Sequence, residues 1–206
     1  MSINWIYKDD RNVFRNVERG GVPYLSFKAL EDTGMVINGF STRLGGVSEG
    51  IYATLNLGMN RGDAPDRVRE NYRRFCAAIG ADMGNIVCAS QVHGDTVRTV
   101  TAADLGIGLD EPEPWQADGL VTDIPGVTLA VYSADCLPIL LYDPVRRVVG
   151  RSTPAGGAPA LGIAAKAVER MVDCYGCDRL DILGRRRPRH LQVLLRDPRG
   201  RAQRHD

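Results

Sequence analysis

The sequence predicts an α/β (α+β) fold, a single domain in which mixed β-sheet layers are flanked by helices. Three observations carry this expectation. Segments 63–80 and 161–175 repeat apolar residues at helical spacing. Short β-rich runs, separated by turn residues, stand between and around them. Residues 129–141 are almost continuously apolar, the pattern of a strand buried on both faces.

The elements follow in order. YLSFKAL (24–30) and MVINGFSTR (35–43) read as short strands, and a loop with Gly45, Gly46, Gly50 and Gly58 comes next. Over 63–80, Asp63 can cap a helix and Pro65 suits its first turn. Val68, Tyr72, Phe75, Cys76 and Ile79 then form one face, and Gly80 stops the helix. NIVCASQVHG and DTVRTVT (85–101) are β-rich runs with a turn at Gly94-Asp95. Residues 103–116 form a loop rich in Gly and Pro. Three strands are expected over 119–150, punctuated by Pro125-Gly126 and Asp143-Pro144. LGIAAKAVERMVDCY then makes an amphipathic helix ending at Gly176.

Composition narrows the class. The chain has 206 residues, 44% hydrophobic and 25% charged, with 26 basic against 25 acidic side chains, as in ordinary soluble domains. No stretch of about 18 apolar residues exists to make a spanning helix, and the charged start lacks the apolar core of a signal peptide. Five cysteines, an odd number, do not read as a disulfide framework, so a reducing cytoplasm is the expected compartment. Residues 179–206 hold nine Arg against three Asp, a net charge of +6 that leaves −5 on the rest. A basic tail on an acidic body ordinarily points to nucleic acid or an acidic partner.

Two short constellations could carry chemistry: Gln91-Val92-His93-Gly94 and Ala134-Asp135-Cys136-Leu137-Pro138. His93 is the one histidine outside the tail, which holds His190 and His205. A lone His at a strand end is more often structural, and a free Cys is more often a small buried hydrophobe. Asp135 weakens the second reading, because a carboxylate on a buried strand needs a partner. A His and a Cys on adjacent strand ends can be a nucleophile and its base. They can equally be two ligands of zinc, whose catalytic sites want three protein ligands and an open position. Other signals are weaker. Cys174-Tyr175-Gly176-Cys177 is a single CxxC at a helix end, Arg43-Leu44-Gly45-Gly46 could present amides and a guanidinium to an anion, and Asp118 could cap a strand or reach a site.

Taken together, GFSTRLGGVSEGIYATLNLG, GD…VRENYRRF, QVHG and ADGLVTDIPGVTLAVYSADCLPILLYDP resemble the laccase-domain, or multicopper polyphenol oxidase-like, family of zinc-dependent purine nucleoside phosphorylases. The resemblance covers about residues 36–150 and resumes over 161–178. It implies phosphorolysis of purine nucleosides including methylthioadenosine, and deamination of adenosine, with nucleosides and phosphate as partners. It implies zinc held by His93, Cys136 and a second His from a following HAGWRG motif, with Arg43 and Gln91 on the substrate or phosphate side. Asp135 is expected beside the ligands as a catalytic or orienting group. Asn38 departs from the pattern, since many members carry His before GFSTR.

The larger departure is that RSTPAGGAPA (151–160) stands where HAGWRG belongs. With synonymous codons, reading one nucleotide earlier gives Ala-Val-His-Ala-Gly-Trp-Arg-Gly. From Gly184, reading one nucleotide later gives the family's Gly-Pro-x-Ile segment. The expectation is therefore a domain over 1–183 with a divergent stretch at 151–160, and an out-of-frame, disordered Arg-rich tail over 184–206. The nucleic-acid reading of the tail loses its support, and the enzyme is expected to be impaired in this copy. The alternatives are a copper polyphenol oxidase, a Cys/His hydrolase and an inactive remnant; a multicopper centre needs His-x-His clusters, and this sequence has none.

Overall fold

The computed structural model describes residues 13–109, 111–133, 136–153 and 160–186, for residues 160, 161 and 186 as backbone only. The chain divides into two compact units, the first reaching Ala81 and the second starting at Asp82.

In the first unit, β1 (Phe14–Arg19), β2 (Val22–Phe27) and β3 (Phe40–Ser41) form an antiparallel sheet in that order. α1 (Lys28–Glu31) follows β2, so YLSFKAL is a strand running into one helical turn rather than strand throughout. α2 (Pro65–Ile79) begins at Pro65 as expected, since proline needs no amide partner in a first turn. It ends where Gly80 turns left-handed, at φ 82°. Val22, Tyr24, Leu55 and Ala78 form a core to which Phe75 and Ile79 of α2 add.

Asp63 does not cap α2 in the usual way. Its carboxylate accepts from Ser48 Oγ, Asn56 Nδ2 and the adjacent Ala64 N–H, so it binds the glycine-rich loop to the helix start. Those donors hold its carboxyl below the usual range. Asn71, fully buried on α2, does the same from about two turns further along, accepting from Val47 N–H and donating to Ser48 Oγ and Asn56 O. Gly46 is required here, since a Cβ would lie 2.2 Å from Thr54 O.

The second unit holds a five-stranded mixed sheet. Its strands are β5 (Val97–Thr99), β6 (Gly119–Thr122), β8 (Ile139–Asp143), β9 (Val148–Ser152) and β10 (Leu183–Arg186), in the order β10-β8-β9-β6-β5. β5 and β6 are parallel and the other neighbours antiparallel. β4 (Ile86–Val87) and β7 (Thr128–Leu129) make a short parallel pair. α3 (Ala160–Tyr175) packs on β9, β6 and β5, with Ile163, Ala167 and Met171 meeting Val121, Leu141 and Val148. Among the described residues no helix is long and apolar enough to cross a membrane.

One expectation fails here. Residues 129–141 are not a single buried strand: β7 ends at Leu129, 130–133 and 136–138 are irregular, and β8 begins at Ile139. Pro138 has no N–H for a ladder, and a side chain takes the hydrogen bonds of Tyr132 that a strand would take. Strand β10 also runs two residues past Gly184, pairing Arg185 with Leu140 and Arg186 with Ile139. The rest of the Arg-rich tail, 187–206, lies outside the described residues, as do His190 and His205.

Candidate functional site

The QVHG segment runs from β4 towards β5, and its residues are held from both sides. Gln91 faces Tyr132 as a neighbouring strand would: its Nε2 donates to Tyr132 O at 3.0 Å, and Tyr132 N–H donates to its Oε1 at 2.9 Å. Nε2 also donates to Thr153 Oγ1 at 3.1 Å. The Gln91 amide is thus occupied by the protein, which gives this residue a structural task beside the substrate role expected for it.

His93 adopts φ 62°, in the left-handed region, and its side chain is exposed. Its N–H and that of Gly94 both donate to Asp118, at 3.0 and 2.8 Å. Asp118 is fully buried just before β6. Its carbonyl accepts from Thr153 N–H at 2.9 Å and from Arg151 NH1 at 3.2 Å. The second motif joins the same network through Tyr132. From there the chain passes to Ser133, whose hydroxyl donates to Cys136 O. The Cys136 thiol is half-buried in this irregular segment rather than on a strand. Asp135 lies outside the described residues.

Position 153 sits between the supports of His93, touching Gln91 through its hydroxyl and Asp118 through its amide. Under the frame shift expected from the sequence, 153 would be the position that receives the histidine of HAGWRG. Sequence reasoning did not single out Thr153 by number, although counting the shifted codons from Gly150 leads to it.

Arg151 and Ser152, the first residues of the divergent stretch, fit the sheet poorly. Arg151 is 1% exposed, and its Nε and NH2 have no hydrogen-bond partner among the described residues; the Ser152 hydroxyl has none either. Burial pulls the Arg151 guanidinium down to about 10. Next to it, Cys88 Sγ and Tyr132 OH are 3.0 Å apart, and burial pushes the Cys88 thiol up.

Arg43 belongs to the first unit, where its NH2 donates to Ile51 O and Ala53 O, both at 3.0 Å, winding the glycine-rich loop. Asn38 pairs with the Phe27 backbone, accepting its N–H and donating to its carbonyl. The two cysteines of the CxxC have opposite surroundings. Cys174 is exposed at the end of α3, whereas Cys177 is buried, and burial together with Asp143 pushes its thiol up to about 12.

The described residues alone do not supply the donor set of a catalytic metal. Among the described residues no three His, Cys, Asp or Glu side chains gather as a group that could hold a metal. His93 and Cys136 are two donors where three protein ligands are needed.

A sequence profile of the family described as multi-copper polyphenol oxidoreductase laccase matches residues 37–188. The chain belongs to this family. The matched range takes in both the QVHG segment and the 134–138 motif. A relative from Deinococcus radiodurans, named purine nucleoside phosphorylase, is 43% identical over 139 residues, 67% of this chain and 51% of its own length. Purine nucleoside phosphorylase ORF3 of Streptomyces griseus is 41% identical over 68% of this chain and 55% of its own length. The chain thus spans about half the length of these relatives. The crystal structure of YlmD from Geobacillus stearothermophilus matches with a TM-score of 0.76 at 34% identity, covering 85% of this chain and 64% of that one. Bacillus licheniformis YfiH matches at 0.74 and 32% identity, over 84% of this chain and 63% of that one.

Proposed function

We propose that this domain handles purine nucleosides by phosphorolysis, with His93 and Cys136 at the reacting end of its site. The observation that carries the reading is that relatives 37–43% identical bear the name purine nucleoside phosphorylase, within a family match that includes both motifs. In this reaction a phosphate oxygen bonds to the ribose anomeric carbon while the bond from that carbon to the purine nitrogen breaks. The electron pair leaves with the purine, which is then protonated. Methylthioadenosine fits the same chemistry, and in deamination of adenosine the oxygen of water bonds to the amino-bearing purine carbon while the bond to the amino nitrogen breaks and ammonia leaves. A phosphate role for Arg43 rests on the family resemblance.

Zinc belongs to this proposal only when a third ligand joins His93 and Cys136, as the shifted frame supplies at position 153. No step is assigned to a metal in the chain as it stands. We expect this copy to be impaired for that reason. The family description also names copper oxidation, but the sequence has three histidines and no His-x-His segment from which a multicopper centre could be built.

The test is phosphate-dependent release of hypoxanthine from inosine, by this chain and by a version read in the family's frame from codon 151. We expect turnover from the restored version, far less from this chain, which lacks one of the three ligands, and none above that level from restored His93→Ala. Absence of activity in the restored version, or activity indifferent to His93→Ala, overturns the reading.

A further inference from the structure

The Asp118 carboxylate is fully buried, and both its oxygens are taken by consecutive backbone amides, those of His93 and Gly94. Consecutive N–H groups converging on one anion form a backbone nest, a geometry that elsewhere binds phosphate or other ligands. Here the anion is the protein's own side chain. The arrangement holds His93 at φ 62°, a left-handed conformation uncommon outside glycine, though histidine adopts it more readily than most residues.

Asp118 is itself fixed on every side. Its N–H donates to Thr96 O at 3.1 Å, and its carbonyl accepts from Thr153 N–H and Arg151 NH1. The next residue, Gly119, opens β6 between β5 and β9, opposite Val97 and Ser152. A Cβ on Gly119 would lie 2.8 Å from Val97 Cγ2, so the start of this strand has little room to shift.

We propose that Asp118 is the positioning residue of the site: by clamping the His93-Gly94 amides it fixes the direction in which the His93 imidazole leaves the sheet edge. It acts through the backbone and touches no substrate. The proposal rests on the reading of His93 given above, in that the clamp matters to activity only if His93 is a working residue.

The test is site-resolved amide hydrogen exchange on the full chain, comparing the parent, Asp118→Asn and Asp118→Ala well below their unfolding temperatures. Asn keeps one acceptor oxygen and puts a donor against the other N–H, so it retains one bond of the two. Exchange at His93 and Gly94 is expected to quicken at least about tenfold in Asp118→Ala, with Asp118→Asn between the two, while amides within β6 and β9 keep their rates. Unchanged exchange at His93 and Gly94, or equal acceleration throughout the unit, overturns the proposal, the second because it marks a general loss of stability. Should Asp118→Ala fail to fold, the same comparison stands on Asp118→Asn. No turnover enters this readout, so failure of the phosphorolysis reading and failure of the clamp are told apart.

Discussion

Gln91 and Tyr132 are joined by a reciprocal pair of hydrogen bonds, 3.0 Å from side chain to carbonyl and 2.9 Å from amide to side chain. A glutamine side chain thereby stands in for a strand and holds the segment that leads to Cys136 against the segment that carries His93. Gln91→Ala is expected to leave both backbone groups of Tyr132 without these partners. The loss should be about 1–3 kcal/mol of stability, read from denaturant unfolding. Gln91→Glu keeps the acceptor but loses the donor to Tyr132 O and Thr153, and is expected to be destabilising as well. Stability unchanged in both variants would mean that this pairing does not hold the two segments together.

Arg151 yields the opposite sign. A guanidinium that is 1% exposed, with two nitrogens unpartnered among the described residues, is an expensive occupant of a sheet. Arg151→Met, which keeps most of the volume and removes the charge, is expected to raise stability by about 1–4 kcal/mol, seen as a higher urea midpoint. A comparable loss of stability would show that the fold uses this charge.

The five cysteines should separate by reactivity. Cys174 is exposed and Cys136 half-buried, whereas Cys76, Cys88 and Cys177 are buried. Burial pushes the Cys88 thiol up, and burial with Asp143 pushes Cys177 to about 12. Brief alkylation at neutral pH, read by peptide mass spectrometry, is expected to label Cys174 and Cys136 first. Early labelling of Cys177 would contradict its placement in the core.

Acid stability depends in part on Asp104. Burial alone would raise its carboxyl, but the Thr101 amide and hydroxyl and the Arg98 guanidinium together hold it below the ordinary value. A depressed carboxyl contributes stability that is fully present above the unfolded pKa, about 3.9. That contribution is lost as pH falls through the lower folded value. Asp104→Asn should therefore be less stable than the parent at neutral pH, with the difference shrinking below about pH 4. A difference that stays constant into acid would remove Asp104 from the acid response.

The two long helices were legible in the sequence because their signals are local: Pro65 and Gly80 bracket α2, and apolar spacing marks α3; the single turn of α1 carries no such signal and reads as strand. The reading of 129–141 went astray because an apolar run does not reveal what it packs against; there, Gln91, distant in sequence, occupies the backbone of Tyr132. His93 and Cys136 could be picked out by residue type and motif. The part played by Asp118 could not, since it depends on a pairing across 25 positions of sequence. The misfit at Arg151 became visible in the structure as buried donors without partners among the described residues.

We propose that His93 and Cys136 are two of three ligands of a zinc site, the third belonging at position 153. Zinc bound per chain after dialysis tests it most directly, in this chain, in the version restored to the family's frame from codon 151, and in restored His93→Ala. The account predicts about one zinc per restored chain, far less in this chain, and loss of zinc in restored His93→Ala. Stoichiometric zinc in this chain, or none in the restored version, would contradict it.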